Sequence, residues 1–269
     1  MKMLVLLVLA LFAVPAWASQ LSVLRPVYVA ANDGDEISLG AVGPGQTVSV
    51  EADAIVTSGG KFGLGGRWDR LDIVQVPDGW SADNSLLYEQ PLKARIKVAK
   101  DAPDGEYVVL ARAVDLEGGE NLGEVNLRLK VNVSRDVLGM KVAPARMETG
   151  ATQPASYTVT VENNGVASDA FEISASGLPA WNFKKTVFVP YGQSRTVQYE
   201  VASSEEGEYD VSINVKSVSS DSLSGSQKVH LSVSTSLWSD YKATNNGLLL
   251  FPIFEQAAYS VMGLLANLF

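Results

Sequence analysis

Through most of this chain the apolar side chains return at every second residue, and that period demands half-buried β-strands. Val197, Tyr199 and Val201 alternate with Thr196, Gln198 and Glu200, while Tyr209, Val211, Ile213 and Val215 alternate with Asp210, Ser212 and Asn214. Successive side chains of a strand point to opposite faces, so each run buries one face and wets the other. The pattern recurs at Val48-Val50-Ala52, Leu92-Ala94-Ile96-Val98, Leu127-Leu129-Val131-Val133 and Tyr157-Val159-Val161. Gly, Pro, Asn and Asp break these runs at intervals of about ten residues, the spacing of an all-β sandwich. Between residues 19 and 236 no segment carries the 3.6-residue period of an amphipathic helix.

The pattern occurs twice, which sets the domain organisation. Pro77 and Trp80 correspond to Pro179 and Trp181, and Gly105-Glu106-Tyr107 corresponds to Gly207-Glu208-Tyr209. Upstream, the segment from Pro44 parallels the one from Gln153. The expected fold class is therefore all-β: two tandem Ig-like β-sandwich domains, residues 19–136 and 137–236. The linker is expected near residues 137–140. It has no Pro/Gly-rich hinge, which predicts limited motion between the domains.

The second unit carries Tyr157-Thr-Val-Thr-Val-Glu-Asn-Asn-Gly165, then Leu178-Pro179-Ala-Trp181, then Gly207-Glu208-Tyr209 entering a strand. Over residues 145–235 it resembles the Ig-like modules of exported bacterial and archaeal surface proteins, the NPCBM-associated (α-galactosidase-associated) and CARDB-like domains. In the first unit the Gly-rich stretch of residues 58–66 replaces the Glu-Asn-Asn-Gly turn. The resemblance implies a sandwich used as a spacer, adhesion or accessory module, and it implies no particular ligand.

Both ends of the chain point to a membrane. Residues 1–18 combine Lys2, an apolar run and the small-residue pattern Ala16-Trp17-Ala18, the signature of a cleaved secretory signal peptide. At about 12 residues the run is too short to span a bilayer. Residues 237–269 read as a juxtamembrane segment and a C-terminal hydrophobic helix, with Leu248, Leu249, Leu250, Phe251, Ile253, Phe254, Val261, Met262, Leu264 and Leu265 as the anchor. A helix from Gly247 onward would reach about 34 Å, enough for a hydrocarbon core of roughly 30 Å. Trp238 and Tyr241 precede it at the place where amphipathic rings settle at the interface. Pro252, Glu255, Gln256, Ser260, Gly263 and Asn267 form one polar or small stripe. That stripe suits a partner helix in a homo- or hetero-oligomer, and packing of the whole tail on protein is the other reading.

The residue inventory weighs against catalysis and metals. The chain has no Cys and a single His, so no Cys–His relay and no zinc site of several His/Cys ligands can be assembled. His230 falls at an outward position of the last strand. No cofactor is expected. Asn32-Asp33-Gly34-Asp35-Glu36 and residues 101–104 offer oxygens to calcium without EF-hand spacing. A net charge of −9 argues against nucleic acid. The expected partners are a membrane and an envelope protein or glycan. Trp80 and Trp181, equivalent in the two units, read as packing residues. Trp68, beside the Gly-rich stretch and without a counterpart, is the candidate contact residue for a sugar or protein, against the alternative of a loop Trp closing the sandwich end. Asn132 is the one N-x-S/T glycosylation acceptor and points outward. The function expected is a non-enzymatic, membrane-anchored cell-surface stalk or adhesion module, with a carbohydrate-binding accessory protein or a subunit of a surface layer, filament or membrane complex as alternatives.

Overall fold

The computed structural model describes residues 20–116 and 118–234, and the signal-peptide and anchor expectations, Trp238 and Tyr241 included, lie outside these residues. The first module contains β1 (Leu21–Arg25), β2 (Val29–Ala31), β3 (Glu36–Val42), β4 (Thr47–Ala52), β5 (Ile55–Val56) and β6 (Gly66–Arg67). It continues with β7 (Arg70–Gln75), β8 (Ser81–Asp83), β9 (Leu92–Lys97), β10 (Gly105–Val114) and β11 (Glu124–Val133). One sheet has the order β2-β1-β4-β9-β8, the other β3-β11-β10-β7, and β5 and β6 form a small hairpin. The alternating residues meet between the sheets: Val48, Val50 and Ile96 from one, Leu127, Leu129 and Val131 from the other.

The second module repeats the plan with β12 (Leu138–Ala143), β13 (Arg146–Thr149), β14 (Ala155–Asn163) and β15 (Asp169–Ser176). It ends with β16 (Lys184–Val189), β17 (Gln193–Val201), β18 (Gly207–Ser217) and β19 (Ser224–Val233). Here a sheet β12-β14-β17 packs on a sheet β13-β19-β18-β15-β16 around Tyr157, Val159, Phe171, Ile173, Tyr199 and Leu231. Each module also pairs an early strand with its last strand in parallel, β3 with β11 and β13 with β19, whereas the remaining pairs are antiparallel among the described residues. With no disulfide in the chain, stability rests on these cores, where each fully buried Val, Leu, Ile or Phe contributes about 1.5–3 kcal/mol.

The repeated Gly-Glu-Tyr has a structural meaning. The Tyr107 hydroxyl donates to the Pro103 carbonyl at 3.0 Å, and the Tyr209 hydroxyl donates to the Glu205 carbonyl at 3.0 Å. Each Tyr thus ties the start of a long strand to the backbone four residues upstream, the tyrosine corner of Ig-like sandwiches. Trp80 is buried with its ring 5.2 Å from that of Tyr107. Trp181 is half-buried against Phe183 and donates to the Tyr199 hydroxyl at 3.4 Å. Both tryptophans pack, on different neighbours.

Two expectations need correction. The linker is not at residues 137–140: Leu138, Gly139 and Met140 already pair with Asn163, Glu162 and Val161 in β12. Residues 134–137 make the connection, because the alternation of β11 stops at Val133 and Val137 turns into the junction, 2% exposed. Trp68 is no contact residue. The Gly-rich stretch folds back as the β5–β6 hairpin, the Trp68 amide donates to the Ala54 carbonyl at 2.7 Å, and the indole is 0% exposed in the core.

Candidate functional site

In both modules the core-facing alternation runs past the apolar residues at the junction. Gln46 keeps the phase of Val48 and Val50, Asp169 that of Phe171 and Ile173, and Ser217 that of Val211, Ile213 and Val215. These three polar residues, all buried, meet between the modules. Asp169 Oδ2 accepts from Gln46 Nε2 at 2.8 Å, Ser217 Oγ at 2.6 Å and Ser219 Oγ at 2.8 Å, while Oδ1 accepts from the Ala170 amide at 2.8 Å. Gln46 Oε1 in turn accepts from the Gly43 amide at 2.8 Å. A buried carboxylate is tolerated when its oxygens are filled in this way.

Apolar and backbone contacts reinforce the lock. The Val166 amide donates to the Ala41 carbonyl at 2.8 Å, and Val166 and Ala167 of the second module pack into the core of the first. Gly45 lies at φ +79°, and a Cβ there would stand 2.7 Å from the Ser219 carbonyl oxygen, so glycine permits both the turn and the close approach.

Beside this lock lies a groove of about 280 Å3 shared by both modules. The first module supplies its sheet surface, where Ser49 stands opposite Arg95 and Glu51 opposite Lys93 across β4 and β9. Glu51 pairs with Arg25 at 3.5 Å and with Lys93 at 3.0 Å. Arg95 is exposed and has no ion pair among the described residues, although Asp83 is its cross-strand neighbour on β8. The Ser49 hydroxyl is buried without a hydrogen-bond partner. Ser168 and Tyr191 close the groove from the second module.

The opposite end of the first module carries a different surface. Its loops are tied together by the Asp69 carboxylate accepting from the Leu116 amide at 2.7 Å, the Tyr88 amide donating to the Asp69 carbonyl at 2.8 Å, and the Lys61 amide donating to the Glu120 carbonyl at 2.7 Å. On this scaffold Leu64 is 83%, Phe62 78% and Leu86 73% exposed, with Leu87, Tyr88 and Leu116 half exposed. Single exposed apolar side chains are ordinary on a folded surface, and what sets these apart is their occurrence on loops of one end of the module. The hairpin that buried Trp68 therefore presents Phe62 and Leu64 in its place.

His230 sits on the outer face of β19. Its Nε2 lies 2.6 Å from Glu208 and its Nδ1 3.1 Å from Asp210, and Ser232 donates to Glu208 at 2.8 Å. The hydrogen bonds to Asp210 and Glu208 raise the imidazole pKa above its ordinary value, and those from Ser232 and His230 lower that of Glu208. Both ring nitrogens face carboxylates and Ser232 faces Glu208, so the geometry is that of a surface ion cluster and not of a nucleophile–base pair. The two acidic segments are likewise engaged locally: Asp33 accepts from the Asn126 amide at 2.8 Å, Asp35 from the Asn32 amide at 2.7 Å, and Asp104 pairs with Arg135. Among the described residues no group of three or more His, Cys, Asp or Glu is arranged to hold a metal. Asn132 is exposed on β11. Among the described residues no helix is long and apolar enough to cross a membrane.

No family model matches the chain, and no curated protein matches it. Among solved structures, the fibronectin(III)-like modules of Clostridium thermocellum CbhA match over 79% of this chain and 93% of that one, at 15% identity and a TM-score of 0.28. A chimeric titin Z1Z2 matches over 81% and 99%, at 10% identity and a TM-score of 0.36. The D00-D0 domain of intimin matches over 78% and 96%, at 16% identity and a TM-score of 0.24. Similarity at this level carries no functional argument. The chain's own strand order, parallel end pairs and tyrosine corners make it two Ig-like sandwiches.

Proposed function

We propose that the chain is an exported, membrane-anchored and non-enzymatic surface protein. Its two sandwiches form a stiff stalk that holds the apolar loop end of the first module away from the membrane, where it meets an envelope protein or glycan. The observation that carries this reading is the direction of the chain through the locked pair. β19 ends at Val233 beside Gly207 and Thr149, at the end of the second module remote from the junction. The residues expected to anchor the chain follow from that end. The exposed Phe62, Leu64 and Leu86 lie at the far end of the first module. The buried Gln46–Asp169 contact keeps the two ends apart.

Membrane fractionation tests this reading. The full chain and a chain truncated after Ser236 are washed with alkaline carbonate. Retention of the full chain alone in the pellet supports the anchored stalk. Release of both removes the anchor and leaves residues 248–269 as a protein-packing segment.

A further inference from the structure

We propose that the groove at the module junction is a binding site for an acidic sugar residue, such as a uronic acid unit of an anionic glycan. The inference does not depend on whether the chain is anchored in a membrane.

The charge of the groove runs against that of the protein. In a chain of net charge −9, Arg25, Lys93 and Arg95 line this cavity against the single carboxylate of Glu51. Glu51 is shared by Arg25 and Lys93, so one positive charge is left over from that triad, and Arg95 adds a second with no ion-pair partner among the described residues. Guanidinium offers forked donors that match a carboxylate in two parallel hydrogen bonds. The other lining groups suit the remainder of a sugar. Thr47 and Ser168 supply hydroxyls, the unpartnered Ser49 hydroxyl lies buried beneath the groove surface, and Tyr191 supplies a ring face with a polar tip. The volume of about 280 Å3 lies just under the ~300 Å3 at which small-molecule sites begin, the size for one ring-sized unit. A neutral sugar would leave Arg95 unanswered, and an inorganic anion would leave Tyr191 and the hydroxyls unused. The groove is open, so a unit within a longer chain can lie in it. Both modules line it, and clefts between domains are where such sites concentrate.

The test is calorimetric titration of the full chain in detergent with trigalacturonic acid, galactotriose and inorganic phosphate, at low and at physiological salt. Trigalacturonic acid should bind at least tenfold more tightly than the other two and weaken with salt. Arg95→Glu should abolish this binding, and Tyr191→Ala should weaken it about tenfold. Both side chains lie on the surface of the groove, and unchanged thermal unfolding of the variants confirms their folding. Equal binding of galactotriose would refute the acidic-sugar assignment. Equal binding of phosphate would reduce the site to an ion site and also overturn it. No binding of trigalacturonic acid, or binding indifferent to both substitutions, would dismiss the groove altogether.

Discussion

Truncating Asp169 to Ala should separate the two modules energetically, and the size of the effect follows from its contacts. The substitution removes the acceptor for Gln46 Nε2, Ser217 Oγ and Ser219 Oγ. The two hydroxyls have another outlet, because they lie 3.2 Å from each other. Gln46, 1% exposed, has none shown for its amide hydrogens. A buried donor left unsatisfied costs about 1–3 kcal/mol, and a hydrogen bond to a charged group contributes about 1.5–3 kcal/mol net. Removal of the buried charge itself offsets part of this. The net loss should be about 2–4 kcal/mol, read as a lower urea midpoint. A double-mutant cycle with Gln46→Ala isolates the contact between modules and should give a coupling of about 1–3 kcal/mol. In the variant the modules should unfold in two separable transitions. A loss below about 0.5 kcal/mol, or a coupling indistinguishable from zero, would refute the claim that Asp169 locks the junction.

Gly45→Ala should cost at least ~2 kcal/mol, since it adds positive-φ strain to a backbone clash, and should enlarge the radius of gyration by scattering, whereas Gly192→Ala, at φ +62° with open space around it, should cost only about 1 kcal/mol. Tyr107→Phe and Tyr209→Phe should each lower stability by about 1 kcal/mol by deleting the corner hydrogen bond, measured by urea unfolding. Burial pushes the Tyr157 hydroxyl up to about 12 from an ordinary value of 10. The unfolded chain therefore releases this proton first as pH rises, and stability should fall by roughly 2 kcal/mol between those values, a drop that Tyr157→Phe abolishes in alkaline unfolding curves. His230 has a raised pKa, so the stabilisation it confers is fully present below its unfolded pKa and is lost as pH rises through the folded one. NMR titration should find its pKa above 6.5, and Asp210→Asn should lower it.

The strands were legible because a period of two survives wherever one face is buried. The repeated Gly-Glu-Tyr gave the same corner in both modules, since the motif and its acceptor carbonyl lie within four residues. Between the two readings of Trp68 the sequence could not choose: the positive φ of Gly59, Gly60 and Gly65 turns the chain back on itself and leaves the Trp buried, and no residue period reports the direction of such a turn. The junction was half visible. Gln46, Asp169 and Ser217 are polar residues in core-facing phase, a signal that each needs a buried partner. The sequence could not pair Gln46 with Asp169 across 123 residues. The groove was invisible, because Arg95 and Tyr191 share a cavity only after two modules have packed, and alternation assigns each merely to a wet face.

The most direct test of the stalk uses the absence of cysteine, which lets a single introduced Cys be labelled uniquely. Donor dyes at Lys61→Cys, on the far hairpin, and at Ser204→Cys, beside the end of β19, are compared in the full chain reconstituted into vesicles that contain a lipid acceptor. The account predicts strong energy transfer from position 204 and little from position 61. Equal transfer from both positions, or none from either, would contradict it.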